Sequence, residues 1–270
     1  MHSFIKEFFM FDFHLHTRLS FDSEAAPRDI ISAAEKKGLR EICLTDHFDH
    51  NSIKELKHNI FSKEDYNSIV MPASSDLIKV RHGVEFGLTT WNKSNLEELI
   101  AELNFDFVIG SVHFINGIDP YFKEYWSGTT VKEAFLKYLE GVYACVRVHD
   151  GYDVLGHINY VCKSPTSPTG EPLYYSDYAD IVDEILKVVI DNGKGIEVNT
   201  SGFDKVGEFL PSSDFLVRYK ELGGEIVTIG SDAHTPDRVG QYSFEAAEIL
   251  KDIFGYACTF EKRKPIFHKL

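Results

Sequence analysis

Apolar positions along the chain follow two alternating rhythms. Short runs dense in Val, Ile and Phe predict buried strands at Met10–Phe13, Glu41–Thr45, Lys79–Val84, Phe107–Ser111, Val154–Leu155, Gly195–Asn199, Glu225–Ile229 and Tyr256–Phe260. Longer segments between them have helical spacing. One opens at Pro27, a residue suited to a first helical turn, and ends before Gly38. A second sets Val131, Phe135, Tyr138, Val142 and Val146 on one stripe. A third carries Ile181, Val182, Ile185, Val188 and Val189 and stops at Asn192-Gly193, a left-handed cap signal. Repeated strand–helix units require a parallel sheet, flat or closed into a barrel. No Pro/Gly/Ser-rich linker and no internal repeat divides the chain, so one domain over residues 1–270 is expected.

Two segments break the rhythm, Phe48–Leu77 and Phe114–Gly128, both longer than an ordinary connection. Each follows a strand end that carries histidine, which favours lids over a site rather than decorative insertions. The Ser/Thr/Pro-rich stretch Lys163–Pro172 is expected on the rim of the same site. The basic run Lys262-Arg263-Lys264 reads as a solvated terminus.

The strand ends carry the chemistry. His14 and His16 flank Leu15 at the end of the first strand, and residues two apart on a strand share a face. His47 follows the second strand, Glu85 the third, His113 the fourth and His157 the fifth; Glu197 and Asn199 end the sixth; Asp232 and His234 follow the seventh. In a barrel all these ends open on one face, where active sites form. Carboxylates gathered in a barrel mouth need cations, so the recurrence predicts metal binding. Six imidazoles with Asp and Glu, and no cysteine, suit Zn, Mn or Fe better than Ca or Mg. So many donors imply two or three divalent metal ions, an arrangement able to clamp an ester phosphate. His2, His50, His58, His82, His149 and His268 have no such placement and read as surface or structural residues.

Charge narrows the substrate. A formal net charge of −14 excludes a surface built for long nucleic acid or anionic lipid, though not a small phosphate ester held by metal ions. Cys43, Cys145, Cys162 and Cys258 are scattered singly, as expected for reduced, buried thiols of a cytoplasmic protein. No signal peptide and no apolar run of membrane-spanning length is read from the sequence, so no membrane partner is expected. Oligomeric state is not read from it.

The phrases His14-Leu15-His16-Thr17, Thr45-Asp46-His47, Gly83-Val84-Glu85, Gly110-Ser111-Val112-His113, Gly156-His157 and Gly230-Ser231-Asp232-Ala233-His234 stand in an order that resembles the PHP (polymerase and histidinol phosphatase) superfamily. The resemblance runs from about residue 10 to residue 240. It implies an α/β fold, a distorted seven-stranded (β/α)7 TIM-like barrel with a trinuclear metal site at the strand C-terminal face. His16-Thr17-Arg18-Leu19-Ser20-Phe21-Asp22-Ser23 and Glu197-Val198-Asn199-Thr200-Ser201-Gly202 resemble the histidinol-phosphatase branch, which hydrolyses L-histidinol phosphate to L-histidinol and phosphate in histidine biosynthesis.

That likeness implies a ligand set. His14, His16, Glu85 and Asp232 would hold one metal. Glu85, His113 and His157 would hold a second, and Asp22, His47 and His234 a third. Asp22 stands where some relatives have histidine; its alternative role is to cap the helix after Pro27. The branch tends to grip phosphate with arginines after the fifth-strand histidine and after the Asn-Thr-Ser-Gly phrase. Here Lys163 and Lys205 occupy those neighbourhoods, as point charges without the arginine fork. Arg18 is the arginine nearest the metal motifs and a further phosphate candidate. Ser111, Asn199 and Ser201 are candidates for bonding substrate or supporting ligands. Asp232, His234 and His47 are candidates for delivering a proton to the leaving alkoxide. Relatives acting on nucleotides, oligonucleotides or phosphotyrosine keep those substrates open. A non-catalytic metal-binding module is disfavoured because every expected ligand position is filled.

Overall fold

A computed structural model describes residues 10–50 and 60–270. His2, His58 and the 51–59 part of the first long segment lie outside the described residues. The strands are β1 (Phe11–Leu15), β2 (Glu41–Leu44), β3 (His47–Asp49), β4 (Lys79–Gly87), β5 (Phe107–Ser111), β6 (Val154–Leu155), β7 (Gly195–Asn199), β8 (Val227–Gly230), β9 (Tyr256–Glu261) and β10 (Lys264–Lys269). Parallel pairing runs β1-β2-β4-β5-β6-β7-β8, and β3 pairs with β4 beyond the end of β2. Since β2 and β3 share one position, the result is a nearly closed barrel of seven parallel strands. Backbone bonds draw its ends together: Asp232 N–H donates to His14 O at 2.8 Å and His16 N–H to Ala233 O at 2.9 Å.

The strands are buried on both faces, inside the barrel and under helices, which is why they read as continuous apolar runs. The helix Pro27–Lys36 starts as expected on its proline and is followed by Gly38 at φ 75°. A capping box between Thr130 and Glu133 opens the helix Val131–Val146. The helix Ala179–Asp191 stops at Asn192, with Gly193 at φ 66°. All four cysteines are free and buried. No helix among the described residues is long and apolar enough to cross a membrane.

Two expectations are corrected. The strand at Tyr256 is not part of the barrel sheet; β9 pairs antiparallel with β10 as a separate hairpin. The hairpin covers the barrel floor, where Phe260 meets Phe107 at a 4.8 Å ring separation and Phe107 meets Phe13 at 5.5 Å. Nor is Lys262-Arg263-Lys264 a solvated terminus. Lys262 and Arg263, at φ 50° and 64°, form the turn of the hairpin. Their backbone N–H groups donate to Asp106 Oδ1 and O, both at 2.9 Å. The Arg263 guanidinium reaches Asp153 and donates to Gly151 O.

The long segments also differ from expectation in part. Phe114, Asp119, Tyr121 and Phe122 of the second segment wall the barrel mouth. Of the first segment's described residues, Asp49 alone lines the mouth. Its helix Lys63–Ile69 packs beside the barrel instead, with Tyr66 against Phe61 and Phe105 at 5.2 and 5.3 Å.

Candidate metal centre

Every residue expected to ligate metal comes to the C-terminal end of the strands, and Glu85 lies at the centre. Its Oε2 is 3.2 Å from His14 Nε2, 3.5 Å from His16 Nε2 and 2.9 Å from His47 Nδ1. Its Oε1 is 3.2 Å from His113 Nε2 and 2.9 Å from His157 Nε2. Asp232 Oδ1 lies 3.2 Å from His16 Nε2 and 3.6 Å from His234 Nδ1. Asp22 Oδ2 lies 3.1 Å from His234 Nε2 and 3.7 Å from His47 Nε2. The alternative role for Asp22 falls away, because Ala26 caps the helix and no side chain bonds its first turn.

These donors form four overlapping triads whose ligand atoms lie within 4.8 Å of one another: His14/His16/Glu85, Glu85/His113/His157, His16/His47/His234 and His47/Asp49/His113. They fit a divalent cation on a further observation. His14 Nε2, His16 Nε2, His47 Nδ1, Glu85 Oε2 and His234 Nε2 are buried polar atoms without a hydrogen-bond partner, an arrangement that is costly unless something accepts those lone pairs.

The surrounding bonds turn the imidazoles toward the cluster. His14 Nδ1–H donates to Glu197 Oε1 at 2.6 Å. His16 Nδ1 meets Ser20 Oγ at 3.0 Å, and Ser20 in turn donates to Asp46 Oδ1 at 2.7 Å. His113 Nδ1 faces Asp49 Oδ1 at 3.0 Å, and His234 Nδ1 faces Asp232 O at 2.9 Å. The Nε2 atoms of His14, His16 and His234 are thereby left without a hydrogen-bond partner, and that of His113 is turned to Glu85 Oε1, the usual way metal-ligating histidines are oriented. Asp232 itself sits at φ 54°, a left-handed conformation held by its backbone bond to β1.

Electrostatics agree with this arrangement. Burial opposes a charge on His14, but the Glu197, Glu85 and Asp232 carboxylates outweigh it and raise its pKa well above the usual value. Burial likewise opposes a charge on His113, yet Asp49 and Glu85 push it up to about 10. His16, desolvated and beside His234 and His47, is driven well below the ordinary imidazole value. Burial alone would raise Glu85, but the facing His14, His47 and His113 hold it well below the ordinary carboxylate range. The cluster therefore calls for positive charge at its centre.

A cavity of about 470 Å³ opens over the cluster, walled by Phe21, Phe114, Tyr121, Phe122 and Tyr160. Lys163 reaches into it, and its Nζ donates to Asp232 Oδ2 at 2.5 Å. Burial disfavours this ammonium, but Asp232 more than compensates and raises its pKa. Lys205 Nζ stands 5.3 Å from the Tyr121 ring on the cavity wall.

Arg18 departs from expectation, whereas Ser111, Asn199 and Ser201 take the ligand-supporting one of their two expected roles. Arg18 is exposed and lines a separate cavity with Pro27, Arg28 and Ile31, away from the cluster. Ser111 is fully buried and donates to Glu85 Oε1 at 2.6 Å, so it orients that carboxylate. Asn199 is fully buried and donates to Glu197 Oε2 at 3.2 Å and Asp232 Oδ2 at 3.4 Å. Ser201 Oγ donates to Asn199 Oδ1 at 2.6 Å. Sequence reasoning missed Asp49 and the orienting parts of Glu197, Ser20 and Asp46. A carboxylate two residues beyond His47, on the same strand face, was the available signal for Asp49. Among the histidines read as structural, His82 bonds Ala73 O at 3.1 Å and His149 bonds Thr89 O at 2.7 Å.

Comparison with known proteins gives this geometry a family. The PHP domain model matches residues 12–201. "Probable histidinol-phosphatase" of Clostridium acetobutylicum is 35% identical over 254 residues, covering 94% of this chain and 98% of that one. "Histidinol-phosphatase" of Lactococcus lactis is 33% identical over 259 residues, covering 94% and 95%. A crystal structure of histidinol phosphate phosphatase from Lactococcus lactis, complexed with zinc, L-histidinol and phosphate, superposes with a TM-score of 0.85 at 31% identity, covering 96% of this chain and 99% of that one. The chain belongs to the PHP domain family.

Proposed function

We infer that this chain is a histidinol phosphatase, a metal-dependent phosphoric monoester hydrolase that converts L-histidinol phosphate to L-histidinol and phosphate in histidine biosynthesis. The observation that carries this reading is end-to-end likeness, at 31% identity and a TM-score of 0.85, to an enzyme solved with zinc, L-histidinol and phosphate. A cavity of substrate size over a cluster that fits divalent ions supports it.

His14, His16, Glu85 and Asp232 would hold one ion. Glu85, His113 and His157 would hold a second, and Asp22, His47 and His234 a third. Two or three ions of Zn, Mn or Fe suit this nitrogen–oxygen donor set. Such ions supply Lewis acidity toward the ester and a nucleophile at neutral pH. Lys163 Nζ offers a fixed positive charge to a phosphate oxygen, and Lys205 adds a second charge at the rim. Glu197, Ser20 and Asp49 hold the His14, His16 and His113 rings in place, and Ser111 fixes Glu85. The rings of Phe21, Phe114 and Phe122 line the cavity mouth. Lys163 Nζ donates to Asp232 Oδ2, and His234 Nε2 and His47 Nε2 face Asp22 Oδ2.

The test is phosphate release by the purified protein from L-histidinol phosphate, a mononucleotide and phosphotyrosine. Preference for L-histidinol phosphate, abolished by chelator and by His16→Ala, is expected. Faster turnover of either other ester would reject the substrate and leave the phosphatase centre standing.

A further inference from the structure

The pocket contains a carboxylate that the metal-binding set does not use. After β5, Ile115-Asn116-Gly117-Ile118 folds as a tight hairpin. The two isoleucines exchange backbone bonds of 2.9 and 3.1 Å, with Asn116 and Gly117 at φ 52° and 77°. Paired left-handed residues of this kind make a type I′ turn, for which Asn-Gly is the favoured sequence. The turn carries the chain back over the barrel mouth and delivers Asp119 into the cavity wall. The Trp126 indole N–H donates to Pro120 O at 2.9 Å and anchors the loop.

Asp119 Oδ1 accepts the Tyr121 N–H at 2.8 Å and the Tyr160 hydroxyl at 3.2 Å. Its Oδ2 makes neither bond, and no lysine, arginine or histidine among the described residues forms an ion pair with Asp119. Burial raises its carboxyl despite those hydrogen bonds. Asp119 is half-buried in the cavity wall with His113 as its main charged neighbour and no direct ion pair, so a positive group entering the cavity would find in it an open acceptor. The Tyr160 ring separates it from the cluster, lying 5.1 Å from the His157 ring and 5.3 Å from the His113 ring. Lys163 and Asp119 line the same cavity of about 470 Å³, so one small ligand can meet both.

We propose that Asp119 is the counter-ion for a protonated amine on the substrate, so that the site selects phosphate monoesters bearing an ammonium group close to the ester. This deepens the histidinol phosphatase reading and rests on it for the identity of the substrate. The amine of L-histidinol phosphate is borne on the carbon next to the phosphorylated CH2, and its imidazole would lie along the Phe114 and Phe122 rings. Mononucleotides offer no such cation.

The test compares L-histidinol phosphate with its des-amino analogue, 3-(imidazol-4-yl)propyl phosphate, in the wild type and in Asp119→Asn. Asparagine keeps an oxygen acceptor for Tyr121 and Tyr160, and circular dichroism with a melting curve checks that the loop and fold persist. Asp119→Asn is expected to lower kcat/KM for L-histidinol phosphate about 10- to 100-fold, the size of one hydrogen bond to a charged group. It should leave the analogue within about threefold, so the wild type's preference for the amine collapses. Equal losses on both esters, or no loss on either, would overturn the proposal. Ethanolamine phosphate and ethyl phosphate form a second pair. If the wild type ignores L-histidinol phosphate yet prefers ethanolamine phosphate in an Asp119-dependent way, the histidinol reading fails and the ammonium site stands. Absence of amine preference in both pairs removes the site.

Discussion

Gly230 ends β8 at the point where β7 and β1 supply Glu197 and His14, and Gly230→Ala tests how tightly that junction is built. A Cβ there would lie 2.4 Å from His14 Cβ and 2.3 Å from Glu197 Oε1. Ordinary contact needs about 1 Å more than this, and neither neighbour is free to yield. His14 Cβ is tied directly to the β1 backbone. Glu197 is held at both oxygens, by His14 Nδ1 at 2.6 Å and by the His157 N–H at 2.9 Å. The displacement therefore falls on the group that orients His14. A misplacement of about 1 Å costs on the order of 100-fold in rate, and loss of such an orienting partner costs about 10- to 100-fold in metal affinity. Overpacking alone should cost about 1–3 kcal/mol of stability, which leaves the protein folded at assay temperature. The assay is kcat under saturating metal, with metal content by mass spectrometry and folding by circular dichroism. A folded Gly230→Ala protein with kcat within threefold of wild type and full metal content would refute the reasoning.

Dialysis against a strong chelator should abolish phosphate release and lower Tm, since ions held at 100 times their Kd contribute about 2.7 kcal/mol. An unchanged melting curve would count against an internal metal cluster. Lys163→Met should lower kcat/KM about 10- to 100-fold, with Lys163→Arg retaining most of it, as steady-state kinetics will show. Equal loss in both variants would exclude a role based on charge. Arg263→Ala leaves the buried Asp153 without its guanidinium. Because that arginine is partly exposed, the cost should be about 2–3 kcal/mol, a Tm loss of roughly 5–10 °C with kcat unchanged. The pKa of His149 is lowered in the folded protein, first by burial, so the unfolded chain binds its proton more tightly. Its contribution to stability is present above pH 6.5, the ordinary histidine value, and is lost as pH falls below it. His149→Gln, which keeps a donor for Thr89 O, should shrink the difference in Tm between pH 8 and about pH 5.5.

The barrel and most of its donors were legible in the sequence because parallel strands buried on both faces leave dense apolar runs, and catalytic groups gather where those runs stop. β5, β6 and β7 begin and end where the pattern placed them. β3 was invisible, since three residues are too few to show a period, and Asp49 was hidden with it. Ser111 and Asn199 showed the right chemistry in the right place, but sequence does not tell whether a side chain at a strand end points to the substrate or beneath the ligands. Arg18 illustrates the opposite problem. It lies two residues from His16, yet the turn carries it to a different cavity. The basic run at Lys262 looked like a tail because its partners, Asp106 and Asp153, are more than a hundred residues away.

The β9–β10 hairpin also sets an order of events during synthesis. Every donor to the cluster has been translated by His234, whereas the floor of the barrel is completed only after Tyr256. Domains fold as units while the chain emerges at about 5–20 residues per second. A nascent chain therefore exposes a full complement of metal donors before Phe260 can shield Phe107 and before Arg263 can reach Asp153. Arrest in that interval would yield a chain able to capture ions yet open to water, and to proteases, from below.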